Sequence, residues 1–118
     1  MIRALAVLAL LAAAPAAAQE AAEASGAVLR GLDKISGTTT DIVLRRGQTG
    51  AFGKLELTLS DCRYPAGDRS ADAWAHLTIT DTAQGAVAFD GWMIASSPAL
   101  NALDHPRYDV WVLGCTTD

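Results

Sequence analysis

Residues 51–60 read AFGKLELTLS, and the alternation inside this stretch decides the fold class. From Lys54 to Leu59 every second residue is a leucine, and the residues between them are charged or polar. A period of two places the leucines on one face of a β-strand and the polar residues on the other. The stretch therefore predicts a strand with one buried face, in which Gly53 is a candidate position for a β-bulge.

Shorter alternations of the same kind lie on both sides of this strand and are separated by turn residues, which is typical of an all-β domain. Residues 61–72 hold Pro65, Gly67 and several charged side chains, and they are predicted to form a surface loop. The predicted strands cover residues 27–32, 38–46, 51–60, 73–80, 86–94 and 108–115.

The alternation also assigns side chains to faces. In residues 73–80 the odd-numbered positions are predicted to point inward, with Trp74 and His76 pointing outward. In residues 86–94 one face is predicted to hold Val87, Phe89, Gly91 and Met93. In the last strand one face is predicted to hold Trp111, Leu113 and Cys115, and the other Val110, Val112 and Gly114.

The alternation stops at residues 96–103, which read SSPALNAL. Ser97 is a candidate N-cap, proline is favoured at the first helical position, and two leucines follow three residues apart. Pro106 restricts His105 to extended backbone and ends the helix. We expect one short helix before the last strand, in a small barrel or a two-sheet sandwich of about six strands.

The first 18 residues have the pattern of a secretory signal peptide. Residues 1–3 are a short basic region, residues 4–14 are an apolar run, and residues 16–18 form an A-x-A cleavage site. A membrane anchor is the alternative, but the apolar run rises only about 16 Å as a helix, roughly half of a bilayer core. We expect export to the periplasm, with a signal peptide over residues 1–18, a flexible tether over 19–26 and one β domain over 27–118.

Composition excludes several functional classes. The formal net charge is −4, and it becomes −5 when Arg3 leaves with the leader, since −4 − 1 = −5. Such a surface does not attract phosphate backbones or anionic lipid, so we expect no nucleic-acid partner. No second apolar stretch approaches spanning length, so we expect no membrane insertion after the leader is removed. We expect a monomer or a weakly associating protein that needs no cofactor.

Cys62 and Cys115 are the two cysteines of the chain. An even count in an exported protein favours a disulfide, and this one would close a loop of 115 − 62 = 53 residues. A metal site would need His76 or His105, with Met93 as a further ligand for copper. No pair of these residues has the close spacing by which one element offers two ligands, and one thioether is too few for copper, so we expect no metal.

Three blocks of sequence resemble a known family: LRGLDKISG (29–37), FGKLELTLSDCRYP (52–65) and FDGWMIASSPALNALDHPRYDVWVLGC (89–115). Their order and spacing are similar to those of domain of unknown function 2155, a family of small exported Gram-negative proteins, over nearly all of the mature chain. The resemblance implies export, one domain and a cysteine pair matching Cys62 and Cys115. It implies no activity and no catalytic residue. Threonine is frequent in the family where Ser36 stands, and both side chains are hydroxyls.

A small hydrolase is one functional hypothesis. Ser96 or Ser97 would be the nucleophile, His105 the base, and Asp104 or Asp109 the residue that orients the base. The signal is weak, because the chain has no G-x-S-x-G elbow and a serine before Pro98 is explained as a helix cap. Most other aspartates lie at predicted turns, where Asp is favoured for local hydrogen bonds rather than for glycoside hydrolysis.

A binding surface is the hypothesis that we favour. Three tryptophans are many for about 100 residues, and Trp74 and Trp92 fall on faces predicted to point outward, although packing in the core is the alternative. Tryptophan, tyrosine and arginine together are the composition of a protein-interface hot spot or of a saccharide platform. The predicted partner is a protein or glycan of the cell envelope, bound without turnover. The predicted binding residues are Trp92, His105, Arg107 and Tyr108, with Arg63 and Tyr64 nearby.

Overall fold

The computed structural model describes residues 20–117, and this part of the chain is all-β, as predicted. It has eight strands there, where about six were expected. The predicted signal peptide lies outside the described residues. The strands are β1 (Ala21–Glu23), β2 (Gly26–Asp33), β3 (Thr39–Arg45), β4 (Thr49–Phe52), β5 (Leu55–Pro65), β6 (Trp74–Asp81), β7 (Ala86–Ile94) and β8 (Tyr108–Thr116).

The strands form two antiparallel sheets. Sheet I has the order β1-β5-β6-β7, with β4 beside β1 on the same edge of β5. Sheet II has the order β3-β2-β8. Within residues 20–117 no strand ladder joins the two sheets, so the fold is the two-sheet sandwich of the two predicted alternatives, and it is not a closed barrel.

The core lies between the two sheets and is built from their inward-facing side chains. In β5 and β6 the inward positions are those that the alternation predicts, because a strand with one covered face repeats every two residues. Sheet I contributes Leu55, Leu57, Leu59, Ala75, Leu77 and Ile79. Sheet II contributes Ala27, Leu29, Leu44, Val110 and Val112.

The predicted strand over residues 51–60 is in fact two strands joined by a tight turn. Phe52 pairs with Leu55 across the two residues Gly53 and Lys54. Gly53 has a φ of 55° and Lys54 has a negative φ, which is the pattern of a type II′ hairpin turn. A Cβ at Gly53 would lie 2.6 Å from the hydroxyl oxygen of Tyr108, so glycine is required here twice over. This turn replaces the bulge predicted at Gly53.

Strand β5 continues through the first part of the predicted surface loop to Pro65. It does so because both of its edges find partners there: Arg63 pairs with Trp74 on β6 and with Glu23 on β1. Strand β1 itself lies in the segment 19–26 that the sequence predicts to be a flexible tether. Its three residues cover an edge of β5 that would otherwise be unpaired.

A β-bulge in β5 turns Cys62 toward the core. Leu59 pairs with Leu77 and Asp61 pairs with His76, so Ser60 is an extra residue in the ladder. One extra residue reverses the face that all later side chains occupy. Without it, Cys62 would face solvent, because it is an odd number of residues from the buried leucines.

A second bulge in β8 does the same for Cys115. Val112 pairs with Leu29 and Gly114 pairs with Val28, so Leu113 is the extra residue. Cys115 therefore shares the core face with Val110 and Val112, and the predicted grouping of Cys115 with Trp111 and Leu113 is wrong. The predicted disulfide between Cys62 and Cys115 is present with a Cα–Cα distance of 5.9 Å, and it joins the inner faces of the two sheets.

A third bulge changes one predicted face of β7. Ile79 pairs with Phe89 and Thr80 pairs with Val87, which leaves Ala88 as the extra residue. Val87 is consequently 62 % exposed, although the alternation groups it with the buried Phe89 and Met93. The correction concerns Val87 alone, since the residues after the bulge keep their predicted faces.

The predicted helix at residues 96–103 does not form, and the described residues contain turns there instead. The amide of Ser97 donates to the Ile94 carbonyl and the amide of Leu100 donates to the Ser97 carbonyl, each spanning three residues. Only a few residues separate Pro98 from the extended chain before Pro106, which is too short for a stable helix. The side chain of Leu103 is buried in the core, at 7 % exposure. Burying it favours an irregular connection from β7 to β8.

Candidate functional site

Trp92 lies on the solvent face of sheet I, in the last third of the edge strand β7. Its side chain is 39 % exposed. On the same face His76 is directly across from it on β6, and their rings meet edge to face with centroids 5.1 Å apart. The next strand, β5, places Asp61 opposite His76 and Arg63 opposite Trp74. We call this group the Trp92 platform; its members are Asp61, Arg63, Trp74, His76 and Trp92.

Arg63 organises the charges of the Trp92 platform. Its guanidinium carbon lies 5.6 Å from the centre of the Trp92 ring, within the range of a cation–π interaction. Its Nε donates to Asp61 Oδ2 at 2.8 Å. The Nε2 atom of His76 lies 3.7 Å from Asp90 Oδ1 at the rim. The platform is therefore an aromatic surface with charges of both signs around it.

The structure separates Trp92 from the other predicted binding residues. Trp92 is level with His76 near the beginning of β6, whereas His105 contacts Asp81 at the end of that strand. The step of five positions from His76 to Asp81 corresponds to about 16 Å. Arg107 and Tyr108 lie beside His105. The four predicted binding residues are therefore divided between two sites, with Trp92 at one and the other three at the second.

His105 is held at both nitrogens of its ring. Its Nδ1 accepts hydrogen bonds from the backbone amides of Arg107 and Tyr108, at 3.0 and 3.2 Å. The proton of a neutral ring is therefore on Nε2, which donates to Asp81 Oδ2 at 2.8 Å. The side chains of His105 and Asp81 are only 12 % and 13 % exposed. This arrangement fastens the β7–β8 connection to the β6–β7 turn.

The hydrogen bond from His105 lowers the pKa of Asp81, assisted by the backbone amides of Gln84 and Ala83 and opposed by burial. The folded state therefore favours the carboxylate, and the contribution of this pair to stability is present above the ordinary pKa of 3.8 and is lost as the pH falls below it. At neutral pH the hydrogen bond between His105 and Asp81 therefore stabilises the fold.

Arg107 and Tyr108 also act in the fold around His105. Arg107 donates to Asp33 Oδ2 at 3.1 Å, and this hydrogen bond lowers the pKa of Asp33 and raises that of Arg107. Tyr108 is 3 % exposed and packs edge to face on Phe52. Tyr108 is therefore a core residue, while the half-exposed guanidinium of Arg107 stacks over its ring.

The serines of the hydrolase hypothesis do not meet His105. Ser96 donates its amide and its hydroxyl to Asp72, at 3.0 and 2.8 Å, next to the beginning of β6. Burial raises the pKa of Asp72, but the hydrogen bonds from Ser96 and from the Ala73 amide together outweigh it, so the pKa is lowered. His105 binds Asp81 at the other end of β6, and the strand between Trp74 and Asp81 is about 23 Å long.

The candidate orienting residues do not fill the role either. The carboxylate that binds the His105 ring is that of Asp81, at Nε2, and not that of Asp104 or Asp109. The other nitrogen is bonded to two backbone amides, so His105 has no free acceptor for a serine hydroxyl. Neither Ser96 nor Ser97 is placed as a nucleophile.

Two further features bear on ligands. A cavity of about 860 Å³ opens beside the disulfide, between the loop at Arg69–Asp72 and the end of β8.

Within residues 20–117 no three His, Cys, Asp or Glu side chains lie together as metal ligands. His76 and His105 are in separate places, and Met93 is buried in the core at 2 % exposure.

The sequence points to Trp92, Trp74 and Arg63 as parts of a binding surface, but it gives no reason to place His76 and Asp61 beside them. Their grouping follows from the register of β5, β6 and β7, which is set by strand pairing over long separations. The outward position of His76 in the alternation was the one local signal that pointed to this face.

Among residues 20–117 no helix has the length and apolar character required to cross a membrane. The chain matches the family model of domain of unknown function 2155 (DUF2155), described as an uncharacterized protein conserved in bacteria, over residues 27–115. No solved structure matches the chain.

The chain is also 30 % identical over 87 residues to an uncharacterized protein, RP359, of Rickettsia prowazekii (strain Madrid E). That match covers 71 % of this chain and 56 % of the Rickettsia protein, so the chain spans about half the length of this relative. The matched region of the family model runs from the second strand to the second cysteine of the sandwich. The chain therefore belongs to the bacterial family of domain of unknown function 2155.

Proposed function

We propose that this protein is a periplasmic, non-enzymatic binding module that docks a protein of the cell envelope on its Trp92 platform. The observation that carries the proposal is the 39 % exposure of Trp92 on the solvent face of the edge strand β7, where its ring meets His76 and Arg63. A large aromatic side chain with no packing role in the core is typical of a binding hot spot.

The charges around Trp92 favour a protein over a glycan as the partner. A sugar would stack on a free face of the indole ring, but the Arg63 guanidinium lies over that ring. Tryptophan and arginine together are enriched at the centres of protein interfaces. Asp90, whose side chain is 62 % exposed at the rim, supplies a carboxylate for pairing with a basic group of a partner.

The proposed location rests on the leader sequence and on the cysteine pair. Residues 1–18 have the order of a signal peptide, and the disulfide joins the only two cysteines in the sequence. Disulfides persist in the periplasm and are rare in the reducing cytosol. An envelope partner follows from this location.

The experiment compares three forms of the purified protein, all expressed from the full sequence and immobilised at equal density. They are the wild type, Trp92→Ala and Val87→Ala, which removes an exposed side chain from the same strand. Each is incubated with a periplasmic extract of the source bacterium, and captured proteins are quantified by mass spectrometry.

We expect a protein that the wild type and Val87→Ala retain equally and that Trp92→Ala loses by about tenfold or more, since hot-spot truncations cost at least about 2 kcal/mol. If no protein is captured, but sugar analysis finds carbohydrate that the wild type retains even from a protease-digested extract, the partner is a glycan and the proposed protein partner is wrong. Equal capture by all three forms would disprove a role for the platform.

A further inference from the structure

The four outer edges of the two sheets are protected to different degrees. An unprotected edge is a template for pairing with another strand. On one side of sheet I the edge strands β1 and β4 have only three and four residues. On the other side β7 is interrupted by its bulge, and Asn101 donates its side-chain amide to the Trp92 carbonyl. The remaining two edges are β8 and β3.

Strand β8 has a bulge at Leu113, and Arg69 crosses to its end to donate to Thr117. Strand β3 is not protected in any of these ways: it is not short, it has no bulge, and among the described residues no side chain from a distant segment crosses its edge. It runs for seven residues, TTDIVLR, with no register shift against β2 and with no proline or lysine. Only its inward-facing Leu44 is buried, and Val43 is 62 % exposed.

The free backbone groups of β3 are identified by its pairing with β2. The amide of Asp33 donates to the carbonyl of Thr38, so Thr38 points its backbone groups toward β2. Because antiparallel pairing alternates, Thr39, Asp41, Val43 and Arg45 point theirs away from β2. Arg45 is satisfied by Gln48, which accepts from its amide and donates to its carbonyl, both at 2.9 Å.

The amides and carbonyls of Thr39, Asp41 and Val43 remain. Among the described residues, no side chain or backbone group outside the β2 ladder pairs with them. We propose that a second copy of this chain adds its β3 to this edge, antiparallel, to form a continuous six-stranded sheet from two copies of sheet II.

The register of this pairing follows from elimination. A two-fold axis at Asp41 would place two carboxylates directly opposite each other, which is unfavourable. An axis at Val43 would require the backbone of Arg45, which Gln48 already occupies. An axis at Ile42 pairs Asp41 of each copy with Val43 of the other and makes four main-chain hydrogen bonds.

Charge complementarity supports the axis at Ile42. Asp41 of one copy is then diagonal to Arg45 of the other, a spacing that an arginine side chain reaches. The symmetry repeats this pair, so two Asp41–Arg45 diagonals flank the axis, and they outnumber the one diagonal that places the two Asp41 side chains at the same spacing. Asp41 already accepts two hydrogen bonds from Arg30, at 2.7 and 3.1 Å, which holds its carboxylate in position on this face.

The test measures the dimer by sedimentation equilibrium of the purified protein at concentrations from micromolar to millimolar. We expect a weak dimer, because one strand buries much less than the roughly 1,200–2,000 Å² of a stable interface. The key variant is Val43→Pro, which removes an outward amide and leaves the β2 ladder intact. Val43→Ala is the matched control, because it truncates the side chain and keeps the amide.

We expect Val43→Pro to raise the dimer dissociation constant about tenfold or more, and Val43→Ala to change it much less, since only proline removes hydrogen bonds. Arg45→Glu, which leaves the backbone unaltered, should weaken the dimer roughly threefold by placing like charges at the diagonal. Its result decides the question if Val43→Pro lowers the melting temperature.

Amide chemical shifts provide the location of the contact. The amides of Asp41 and Val43 should shift with protein concentration in the wild type, and in Arg45→Glu the same shifts should need about threefold higher concentration. A wild type that stays monomeric at millimolar concentration overturns the proposal. So does a dimer that Val43→Pro and Arg45→Glu both leave unchanged. Shifts of these amides only upon addition of a periplasmic extract would assign the edge to a strand of another protein and overturn self-pairing.

Discussion

At the scale of single residues, His105 shows how one side chain can hold a long connection. The chain leaves sheet I after Ile94 and enters sheet II at Tyr108, without a regular element between. His105 joins this segment to Asp81 and also accepts two amides that would otherwise lack a partner. A residue with a clear structural role of this kind is a poor candidate for catalysis.

We predict that His105→Ala destabilises the protein by about 2 kcal/mol or more, because it leaves the amides of Arg107 and Tyr108 without an acceptor in a part-buried place. In a domain of this size that loss lowers the melting temperature by roughly 10 °C. Thermal unfolding followed by circular dichroism measures it. His76→Ala is the control on the exposed face and should change stability by less than about 0.5 kcal/mol. Equal melting temperatures for both variants would contradict the assigned role of His105.

At the scale of elements, turns and bulges decide where side chains go. The Gly53-Lys54 turn reverses the chain inside what looks like one strand, and the ring of Tyr108 covers it. The bulges at Ser60 and Leu113 each shift one strand by a residue and so direct its cysteine inward. The disulfide depends on both bulges, because a face change on either strand alone would separate the sulfurs.

We predict that Gly53→Ala is markedly more destabilising than Gly85→Ala. Both substitutions place a side chain at positive φ, 55° and 63°, which costs about 1–2 kcal/mol. Only the first also drives a Cβ into Tyr108, which adds about 1–3 kcal/mol, since nothing lies within 4 Å of a Cβ at Gly85. Urea unfolding of the two variants isolates the steric part as their difference. A difference near zero would mean that Tyr108 does not press on this turn.

At the scale of the whole molecule, two sheets with separate ladders must be held face to face. The shared core does most of this, and the disulfide adds a covalent link between β5 and β8. It closes a long loop, and cross-linking a long loop restricts the unfolded chain more than a short one.

We predict that the double variant Cys62→Ala, Cys115→Ala loses about 4 kcal/mol of unfolding free energy, by the chain-entropy relation for a sequence separation of 53. This is a large share of the stability of a small domain. Denaturant unfolding of the oxidised wild type and the double variant measures the loss. Leu113→Ala, which alters an exposed side chain beside Cys115, serves as the control. A loss below about 1 kcal/mol would show that the core alone fixes the two sheets.

Much of this architecture is determined by the local sequence of each strand. The all-β class, the inward positions of β5 up to Leu59 and of β6, and the placement of Trp92 on the face opposite Phe89 and Met93 all follow from alternation, because a strand's two faces are set by its own sequence at a period of two. The disulfide also follows, since the chain has one possible pair of cysteines.

Only the tertiary structure decided the bulges, the absence of the helix in the described residues and the membership of the Trp92 platform. Each depends on pairing between segments far apart in sequence, such as Asp61 with His76 or His105 with Asp81. Local preferences differ by little between alternative conformations, whereas burial and ladder hydrogen bonds are cooperative and decide among them. For the same reason Trp92 and Arg107, grouped by composition, lie in separate places. Most of the length of β6, at about 3.3 Å per residue, separates His76 beside Trp92 from Asp81, which binds His105 near Arg107.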